Sequence, residues 1–274
     1  MGGVSPAPFL KWAGGKGKLI PQYESLFPKR FAHYYEPFIG GGAIYFHLAP
    51  SRATIADINP RLADAYIEIR DNCEPLIQRL EALRTAHDRD HYYVCRERLN
   101  TAPDLDRTER VALQIYLNKT CFNGLYRENR KGHFNVPVGQ YTNPSIYDAL
   151  TLRACSTLLK GAQVQCRPFE EVLSEAREGD FVYLDPPYHP ISETSSFTSY
   201  TKFGFDTFDQ ERLAETVRLL DRRGCYVMQS NSDAPFVRDL YKGFEIQRVK
   251  ARRSINSKAR HRGPINEVVI RNYA

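Results

Sequence analysis

The sequence has no long apolar segment and no paired cysteines. None of its apolar runs approaches the roughly 20 residues of a membrane-spanning helix, so we expect no such helix. Its six cysteines form no C-x-x-C pair, which argues against a zinc site, and we expect no bound metal. Such cysteines are typical of reduced thiols in a cytosolic protein, and no secretory pattern precedes Phe9.

Two glycine-rich nucleotide motifs are also missing. The chain has no G-x-x-x-x-G-K-[ST], which excludes a P-loop in the glycine-rich run at residues 9–19. It has no G-x-G-x-x-G either, which favours another nucleoside cofactor over a dinucleotide. With 274 residues, 42% of them hydrophobic, the chain has the composition of a globular protein of one or two domains.

Acidic residues are absent from one long stretch, between Glu245 and Glu267. The net charge of the whole chain is +6, and this stretch concentrates it. Its basic residues are Arg248, Lys250, Arg252, Arg253, Lys258, Arg260 and Arg262. Such a run favours a polyanionic partner, with a solvated charged face as the alternative.

The first third of the chain has the order of a nucleoside-binding βαβ unit. Residues 34–39 are predicted as a strand, residues 40–42 as a glycine turn, residues 43–48 as a helix and residues 53–56 as a second strand. Asp57 follows that second strand and lies 21 residues after Glu36. In units of this kind such an acid accepts hydrogen bonds from ribose hydroxyls. A purely structural glycine turn is the alternative.

A helical segment follows, punctuated by Pro75 and Pro103. From Leu62 apolar residues recur at positions i, i+3, i+4 and i+7, and the helical pattern continues to about residue 117. A strand pattern returns only at residues 163–167, so we interpret the segment between as an insertion. Further strands are predicted at residues 180–184, 226–230 and 265–270. A helix is predicted at residues 209–220, with Thr207 or Asp209 as its N-cap.

The end of the insertion, residues 118–141, predicts a β-hairpin suited to nucleic acid. Asn123-Gly124 is a tight-turn signal, and residues 129–132 can close a hairpin. Basic and aromatic residues alternate there with amides. Such side chains donate hydrogen bonds to phosphates and base edges, or stack on bases. An ordinary polar hairpin is the alternative.

The segment Asp185-Pro186-Pro187-Tyr188 follows the predicted strand at residues 180–184. In open α/β sheets, ligands bind beyond the carboxyl ends of the strands. The two prolines fix two φ angles and offer carbonyls without N–H groups. A carboxylate, these carbonyls and a tyrosine ring suit a planar ring that carries an amino group, whereas the structural alternative is a simple turn.

Four of these segments occur together and in order: residues 11–19, 36–42, 123–127 and 185–188. Over nearly the whole chain they resemble the Dam-type DNA adenine-N6 methyltransferases, including restriction-modification enzymes that act at GATC. The resemblance implies an α/β fold: a Rossmann-like S-adenosylmethionine-dependent methyltransferase sheet with one reversed strand near its edge. It also implies an inserted, mostly helical target-recognition domain that carries the β-hairpin. Residues 1–60 and 155–274 would form the catalytic domain, and residues 61–154 the insertion.

The resemblance assigns roles to residues of this chain. Catalysis falls to Asp185, Pro186, Pro187 and Tyr188. Contacts with S-adenosylmethionine, and with its product S-adenosylhomocysteine, fall to Trp12, Lys16, Glu36, Phe38, Gly40, Gly42, Asp57, Phe169 and Asp185. Contacts with double-stranded DNA fall to Lys11, Phe122, Asn123, Leu125, Arg127, Pro137, Tyr141, Arg252, Arg253 and Lys258. Phe122 stands where a tyrosine can occur in the family, and Gln140 where an arginine can occur.

The chemistry of the implied reaction explains these residue types. The lone pair of the adenine amine is delocalised into the ring, so the amine is a poor nucleophile. If Asp185 and the Pro186 carbonyl accept its hydrogens, the lone pair becomes localised, and no covalent intermediate with the protein is needed. Since the amine is inaccessible inside a duplex, the base must flip out. Such an enzyme would be cytoplasmic and associated with the nucleoid through DNA, with a cognate restriction endonuclease as a genetic partner only.

Three other readings of the sequence stay open at this point. A methyltransferase acting on RNA or on protein glutamine more often carries asparagine in place of Asp185 and does not need the predicted hairpin. A DNA-binding relative without activity is a second alternative, against which the intact Asp185 segment argues. A nicotinamide oxidoreductase on the same fold is the third, and the glycine spacing argues against it.

Overall fold

The structure is a computed structural model that describes residues 4–190, 204–252 and 264–274, with backbone only at Arg252, Pro264 and Ile265. The helices in these residues are α1 Ile20–Tyr23, α2 Ala43–Leu48, α3 Pro60–Asp71, α4 Cys73–Thr85, α5 Arg89–Thr101, α6 Arg107–Thr120, α7 Ala149–Leu159, α8 Phe169–Leu173, α9 Thr207–Arg222 and α10 Pro235–Leu240. The strands are β1 Tyr34–Glu36, β2 Ala53–Ala56, β3 Ala162–Gln165, β4 Phe181–Leu184, β5 Tyr226–Ser232, β6 Glu245–Arg252 and β7 Pro264–Arg271. Within the described ranges, no helix is both long enough and apolar enough to cross a membrane.

Packing divides the chain into two compact units. The first consists of residues 1–15, 40–51 and 59–166, and the second of residues 16–39, 52–58 and 167–274. Compactness groups residues by their contacts and need not follow functional boundaries. The predicted domain bounds after residues 60 and 154 therefore stay a prediction.

The second unit contains a mostly parallel sheet. Its strands lie in the order β2-β1-β4-β5-β7-β6, with β2, β1, β4 and β5 parallel to one another. Strand β7 is antiparallel to both of its neighbours, β5 and β6. All four residues of β4 are buried, as expected for a strand covered on both faces. The predicted Rossmann-like α/β sheet with one reversed strand near its edge is therefore confirmed.

Two predicted boundaries in this unit were wrong. The first strand ends at Glu36 instead of residue 39, because Pro37 has no N–H to continue the ladder. The cap of α9 is Asp206 instead of Thr207 or Asp209. The Asp206 carboxylate accepts from the Asp209 N–H at 3.0 Å, and the Asp209 carboxylate accepts from the Asp206 N–H at 3.0 Å. Asp209 is thus the third residue of the helix in a reciprocal capping box.

Strand β6 was missed by the sequence analysis, which interpreted it only as part of the basic run. Val249 and Ala251 are buried at alternate positions, and the residues before each of them, Arg248 and Lys250, are exposed. This alternation is typical of a strand with one solvated face, and lysines commonly protect the outer strand of a sheet. Of the residues predicted to bind DNA here, Arg253 and Lys258 lie outside the described residues, as does the side chain of Arg252.

Helices dominate the first unit. Helix α6 is its centre, with a buried run from Val111 to Asn118, and α3, α4 and α5 pack against it. Helix α3 begins with Pro60 and is capped by Asn59, whose side chain accepts from the Arg61 N–H at 3.0 Å. Pro75 marks an interruption of the helical segment, as predicted, since α3 ends at Asp71 and α4 begins at Cys73. It lies in the first turn of α4, where backbone N–H groups have no helical partner.

The predicted β-hairpin at residues 118–141 forms only in part. Residues 118–120 belong to α6, and the following described residues form two isolated antiparallel bridges, Cys121 to Val138 and Glu128 to Phe134, without regular strands. Some cross-strand backbone bonds are made: the Asn135 N–H donates to the Arg127 carbonyl at 3.1 Å, and the Asn129 N–H donates to the His133 carbonyl at 2.9 Å. Within the turn, the Asn129 side-chain oxygen accepts from the N–H groups of Lys131 and His133. The segment from Cys121 to Val138 is called the bridged loop below.

A buried carboxylate links β5, α10 and β6 in the second unit. The Asp233 carboxylate has 9% of its side-chain surface exposed and accepts hydrogen bonds from Arg238 at 2.5 Å and Arg248 at 2.6 Å. Burial acts to raise the pKa of Asp233, but the two arginines outweigh it, and the pKa lies below its ordinary value. One arginine of the basic run is therefore neutralised within the protein.

We expect Asp233→Asn to lower the free energy of unfolding at pH 7 by about 1.5–3 kcal/mol, measured by urea denaturation. Since the folded-state pKa is depressed, this stabilisation is present above the unfolded pKa of about 3.9 and is lost as the pH falls through the folded value. The control is Asp239→Asn, an exposed residue of α10. Equal stabilities of the two variants at pH 7 would contradict the prediction.

Candidate active site

Three carboxylates lie at one edge of the sheet in the second unit. Glu36 is the last residue of β1, Asp57 directly follows β2, and Asp185 directly follows β4. Because β1 pairs in parallel with both β2 and β4, the carboxyl ends of the three strands meet at the same edge. This is the edge at which ligands bind in open α/β sheets.

Asp185 is held by groups from two neighbouring segments. The Lys16 ammonium lies 2.9 Å from its carboxylate, and these side chains are 6% and 20% exposed. The Ser230 hydroxyl on β5 donates to the same carboxylate at 3.0 Å and also lies 2.9 Å from the Tyr183 hydroxyl. The structure thus brings together two of the predicted site residues, Lys16 and Asp185, and fixes the carboxylate while part of it stays accessible.

The backbone of the proline segment is anchored to β5 and α9. Gln210 donates to the Pro187 carbonyl at 2.8 Å, and Asn231 donates to Gln210 at 3.0 Å. The Asn231 side-chain oxygen in turn accepts from the His189 N–H at 3.2 Å. The Pro186 carbonyl accepts no hydrogen bond from the residues that the structure describes. It can therefore accept one from a ligand.

Tyr188 is fixed at both its hydroxyl and its ring. Its hydroxyl donates to the Glu267 carboxylate on β7 at 2.8 Å, and the Lys16 ammonium lies 4.7 Å from the ring centroid. Burial raises the pKa of the Tyr188 phenol well above its ordinary value, so the group stays protonated. Burial likewise raises the pKa of the Glu267 carboxyl, against the opposing effects of Lys16 and the Tyr188 hydrogen bond.

Sequence reasoning missed Gln210, Ser230 and Glu267, which hold the predicted residues in place. The available signal was polarity inside apolar elements. Glu267 is followed by three buried residues of β7, and Ser230 lies in the middle of buried β5. A polar residue within a buried strand requires a partner, although the sequence does not say which one.

Several residues of the second unit fit a nucleoside cofactor. The rings of Phe38 and Phe169, the first residue of α8, lie 5.5 Å apart at 33°, and the Phe205 ring packs against both. Phe38 is half-buried and Phe169 is 6% exposed. Asp57 directly follows β2, and its carboxylate is of the type that can accept hydrogen bonds from ribose hydroxyls. Glu36 is only 2% exposed, and its carboxylate accepts from the Tyr34 hydroxyl at 2.7 Å.

The glycine turn of the first unit allows a close backbone approach. Gly40 and Gly42 have φ angles of +49° and +70°, which side chains rarely adopt. A Cβ atom at Gly40 would lie 3.0 Å from the indole of Trp12, and one at Gly42 would lie 2.6 Å from the Tyr66 hydroxyl. Trp12 therefore packs directly on the turn. A glycine turn of this kind lets a ligand approach the backbone closely.

The residues predicted to bind DNA in the first unit are mostly accessible. The Lys11 ammonium lies 3.2 Å from the Tyr141 hydroxyl and 4.4 Å from its ring centroid. Phe122 and Tyr141 are 48% and 39% exposed. Asn123, Arg127 and Pro137 are exposed, and Leu125 is half-buried. The structure thus pairs Lys11 with Tyr141 and leaves most of the predicted contact residues of the bridged loop facing solvent.

Arg127 is oriented by a neighbour in the bridged loop. Its Nε–H donates to the Asn135 side-chain oxygen at 2.7 Å, and one terminal nitrogen lies 3.3 Å from the Asn135 carbonyl. Asn135 therefore takes the side edge of the guanidinium. The opposite end, with an N–H from each terminal nitrogen, points away from this contact.

Comparisons with known proteins show the family to which the chain belongs. The family model of the D12 class N6 adenine-specific DNA methyltransferases matches residues 12–255. The type II methyltransferase M1.LlaDCHI of Lactococcus lactis subsp. cremoris is 43% identical over 98% of this chain and 96% of its own length. The type II methyltransferase M.MjaIII of Methanocaldococcus jannaschii is 44% identical over 97% of this chain and 99% of its own. A DNA adenine methylase of Haemophilus influenzae is 32% identical over 96% of this chain and 92% of its own length.

The family model covers the glycine turn, the bridged loop and the Asp185 segment in one match. The relatives align over nearly their whole length, so the likeness is not confined to a shared cofactor domain. The resemblance inferred from the four sequence segments is thereby confirmed. The chain belongs to the D12 class N6 adenine-specific DNA methyltransferase family, and it is a site-specific, adenine-specific DNA methyltransferase.

Proposed function

We propose that the enzyme methylates the N6 amine of an adenine that has flipped out of double-stranded DNA, at the sequence GATC. The observation that carries the proposal is the arrangement of Asp185, the Pro186 carbonyl and the Tyr188 ring beyond β4. Two acceptors and a planar apolar face match an amino group on an aromatic ring. A base still paired in the duplex could not reach such a site.

The residues of this chain have separate tasks in the proposed reaction. Asp185 and the Pro186 carbonyl accept the two amine hydrogens, which localises the lone pair of the nitrogen. Tyr188 stacks on the flipped base and offsets part of the cost of flipping, which amounts to a few kcal/mol. S-adenosylmethionine, the donor that the family implies, supplies an electrophilic methyl group. The resemblance assigns its binding to the glycine turn and to Trp12, Phe38, Asp57 and Phe169.

The GATC part of the proposal rests on the bridged loop. Its sequence from Asn123 to Arg127 resembles the Dam-type enzymes, and Arg127 presents the end of its guanidinium away from Asn135. A guanidinium can bond to the O6 and N7 atoms of guanine together. Two of the relatives are named type II methyltransferases, which supports a restriction-modification context, with a cognate endonuclease as genetic partner.

Family membership also favours DNA over the substrates of the alternative readings. The family model describes adenine-specific DNA methylation, whereas RNA, protein glutamine and nicotinamide chemistry belong to other classes. The retained Asp185 and the bridged loop agree with DNA. The alternative without activity is tested by methyl transfer to DNA from a labelled donor.

The proposed recognition sequence is tested by methylation-sensitive sequencing of genomic DNA from cells that express the protein. The host must lack adenine methylation of its own. N6-methyladenine at GATC in these cells, and its absence in cells without the gene, is the expected result. Methylation of adenine at another sequence would refute the GATC part and leave the rest. Base flipping is tested separately with 2-aminopurine at the target position, whose fluorescence rises when it leaves the stack.

We expect Asp57→Ala to weaken S-adenosylmethionine binding by about 1.5–3 kcal/mol, or roughly ten- to hundredfold, because a charged acceptor of two hydroxyls is lost. Isothermal titration calorimetry with the donor or with S-adenosylhomocysteine measures the change. A matched control is Asp64→Ala, a carboxylate on α3 whose nearest arginine nitrogens lie 3.6 and 3.8 Å away. Unchanged affinity in Asp57→Ala would remove this residue from the cofactor site.

A further inference from the structure

Glu267 is a carboxylate in the middle of the reversed strand β7. The three residues that follow it, Val268, Val269 and Ile270, are at most 1% exposed. Its carboxylate accepts the hydrogen bond from the Tyr188 hydroxyl at 2.8 Å, although 79 residues separate the two in sequence. A carboxylate in such a place needs a compensating partner, and Tyr188 is one.

The sheet register explains why Glu267 meets the proline segment. Side chains alternate along a strand, and Val268 and Ile270 belong to the apolar core on one face, so Glu267 lies on the other. Across the antiparallel pair, Glu267 stands opposite Ser232 of β5. Ser232 donates to the His189 carbonyl at 2.7 Å, one residue beyond Tyr188. The reversed strand thus carries a carboxylate to the end of the Asp185 segment.

We propose that Glu267 is a positioning residue for methyl transfer, which fixes the Tyr188 ring in the plane against which the target adenine stacks. The inference rests on the proposed function, because it takes the stacking role of Tyr188 as given. It goes beyond that function in assigning a task to a residue outside the cofactor, catalytic and DNA-contact sets.

The physical reason is that a tyrosine ring can rotate about its side-chain bonds unless its hydroxyl is held by a hydrogen bond. A phenol that donates to a carboxylate forms a charge-assisted hydrogen bond, which is stronger and shorter than a neutral one. Glu267 is only partly exposed, and burial is the largest cause of its raised pKa, so this bond is partly shielded from water. The Lys16 ammonium over the ring restrains the face, and Glu267 restrains the rotation of the ring about the sheet edge.

The test is a double-mutant cycle between Glu267 and Tyr188, with single-turnover methyl transfer at saturating donor and DNA. We expect Glu267→Ala to slow transfer about tenfold, with DNA affinity and S-adenosylmethionine affinity changed less than twofold. Glu267→Gln keeps an oxygen acceptor and should recover most of the rate. In the Tyr188→Phe background, where the hydroxyl is absent, Glu267→Ala should cause no further loss.

The controls separate positioning from a general structural role. Glu245→Ala removes a carboxylate from neighbouring β6, where it pairs with Arg271 at 2.8 Å, and should leave the transfer rate unchanged. Thermal unfolding is measured for every variant. If Glu267→Ala does not fold, Glu267→Leu replaces it, since leucine fills the space without an acceptor. Additive losses in the cycle, or a wild-type rate in the folded variants, would overturn the inference.

A second readout distinguishes this inference from the function on which it rests. 2-Aminopurine at the methylated position reports the flipped base, and stacking on Tyr188 quenches part of its fluorescence. If the wild-type enzyme gives no fluorescence change, the flipping proposal fails. Suppose instead that the wild type and Glu267→Ala give the same fluorescence change with the 2-aminopurine duplex and the same rate of methyl transfer to the adenine duplex. Only the role of Glu267 then fails.

Discussion

Replacing Asp185 by alanine is expected to lower the single-turnover rate of methyl transfer by at least about 10²–10³-fold, while DNA binding persists. The loss removes the charged acceptor of the amine hydrogens, and deletion of one electrostatic group of this kind costs catalysis by that order. DNA binding should persist because the residues predicted to contact DNA lie elsewhere in the chain. The rate is measured with labelled donor, and binding by fluorescence anisotropy.

Two further variants make this result interpretable. Asp185→Asn keeps one oxygen acceptor but removes the charge that pairs with Lys16, so an intermediate loss is expected. Asp180→Asn changes a buried aspartate next to the opposite end of β4, where its carboxylate accepts from the Arg177 N–H at 2.9 Å. It should affect stability more than the rate per folded molecule. Substantial methylation by folded Asp185→Ala would rule out the proposed role.

The parallel part of the fold could be predicted because its signals are local. Strands β2 and β4 are short apolar runs followed by an aspartate, and their bounds in the structure agree with the prediction to within one residue. Strand β6 could not be recognised in the same way. Its buried Val249 and Ala251 alternate with basic residues. Because the run is so strongly charged, this alternation of buried and exposed residues was not recognised as a strand.

The bridged loop shows a different limit of sequence reasoning. Its turn signals are genuine, since Asn123 and Gly124 both adopt positive φ angles. The ladder that should follow is reduced to isolated bridges and a few backbone bonds, and the Asn129 side chain takes two backbone N–H groups of the turn. A pattern of turn residues and alternating side chains does not reveal whether local or cross-strand hydrogen bonds dominate.

The candidate site divides along a similar line. Asp185, Pro186 and Tyr188 are adjacent in sequence and could be named from a motif. Besides Lys16, the groups that hold this segment come from α9, β5 and β7, at sequence distances from 23 to 79 residues. Only the register of β7 against β5 places Glu267 beside Tyr188. Supporting residues of this kind follow from tertiary structure, which a single sequence does not specify residue by residue.

Arg127→Ala is expected to relax recognition of the guanine in GATC by about 1–3 kcal/mol, roughly five- to a hundredfold in relative rate, and to reduce nonspecific DNA affinity less. Asn135 accepts from the Nε side of the guanidinium and leaves the end edge for guanine O6 and N7. Arg127→Lys should resemble the alanine variant in specificity, because lysine keeps the charge but has no planar fork. Methylation rates on GATC duplexes and on duplexes changed at the first base give the comparison.

The matched control is Arg130→Ala, which removes an exposed arginine three residues further along the same loop. If that arginine meets only phosphate, its loss slows all duplexes alike and reduces the salt slope of binding by about one unit. Asn135→Ala should cause a smaller loss of discrimination than Arg127→Ala, since the fork remains but its orientation is no longer fixed. If Arg127→Ala instead slows every duplex by one factor, Arg127 is a phosphate contact. The guanine is then read elsewhere.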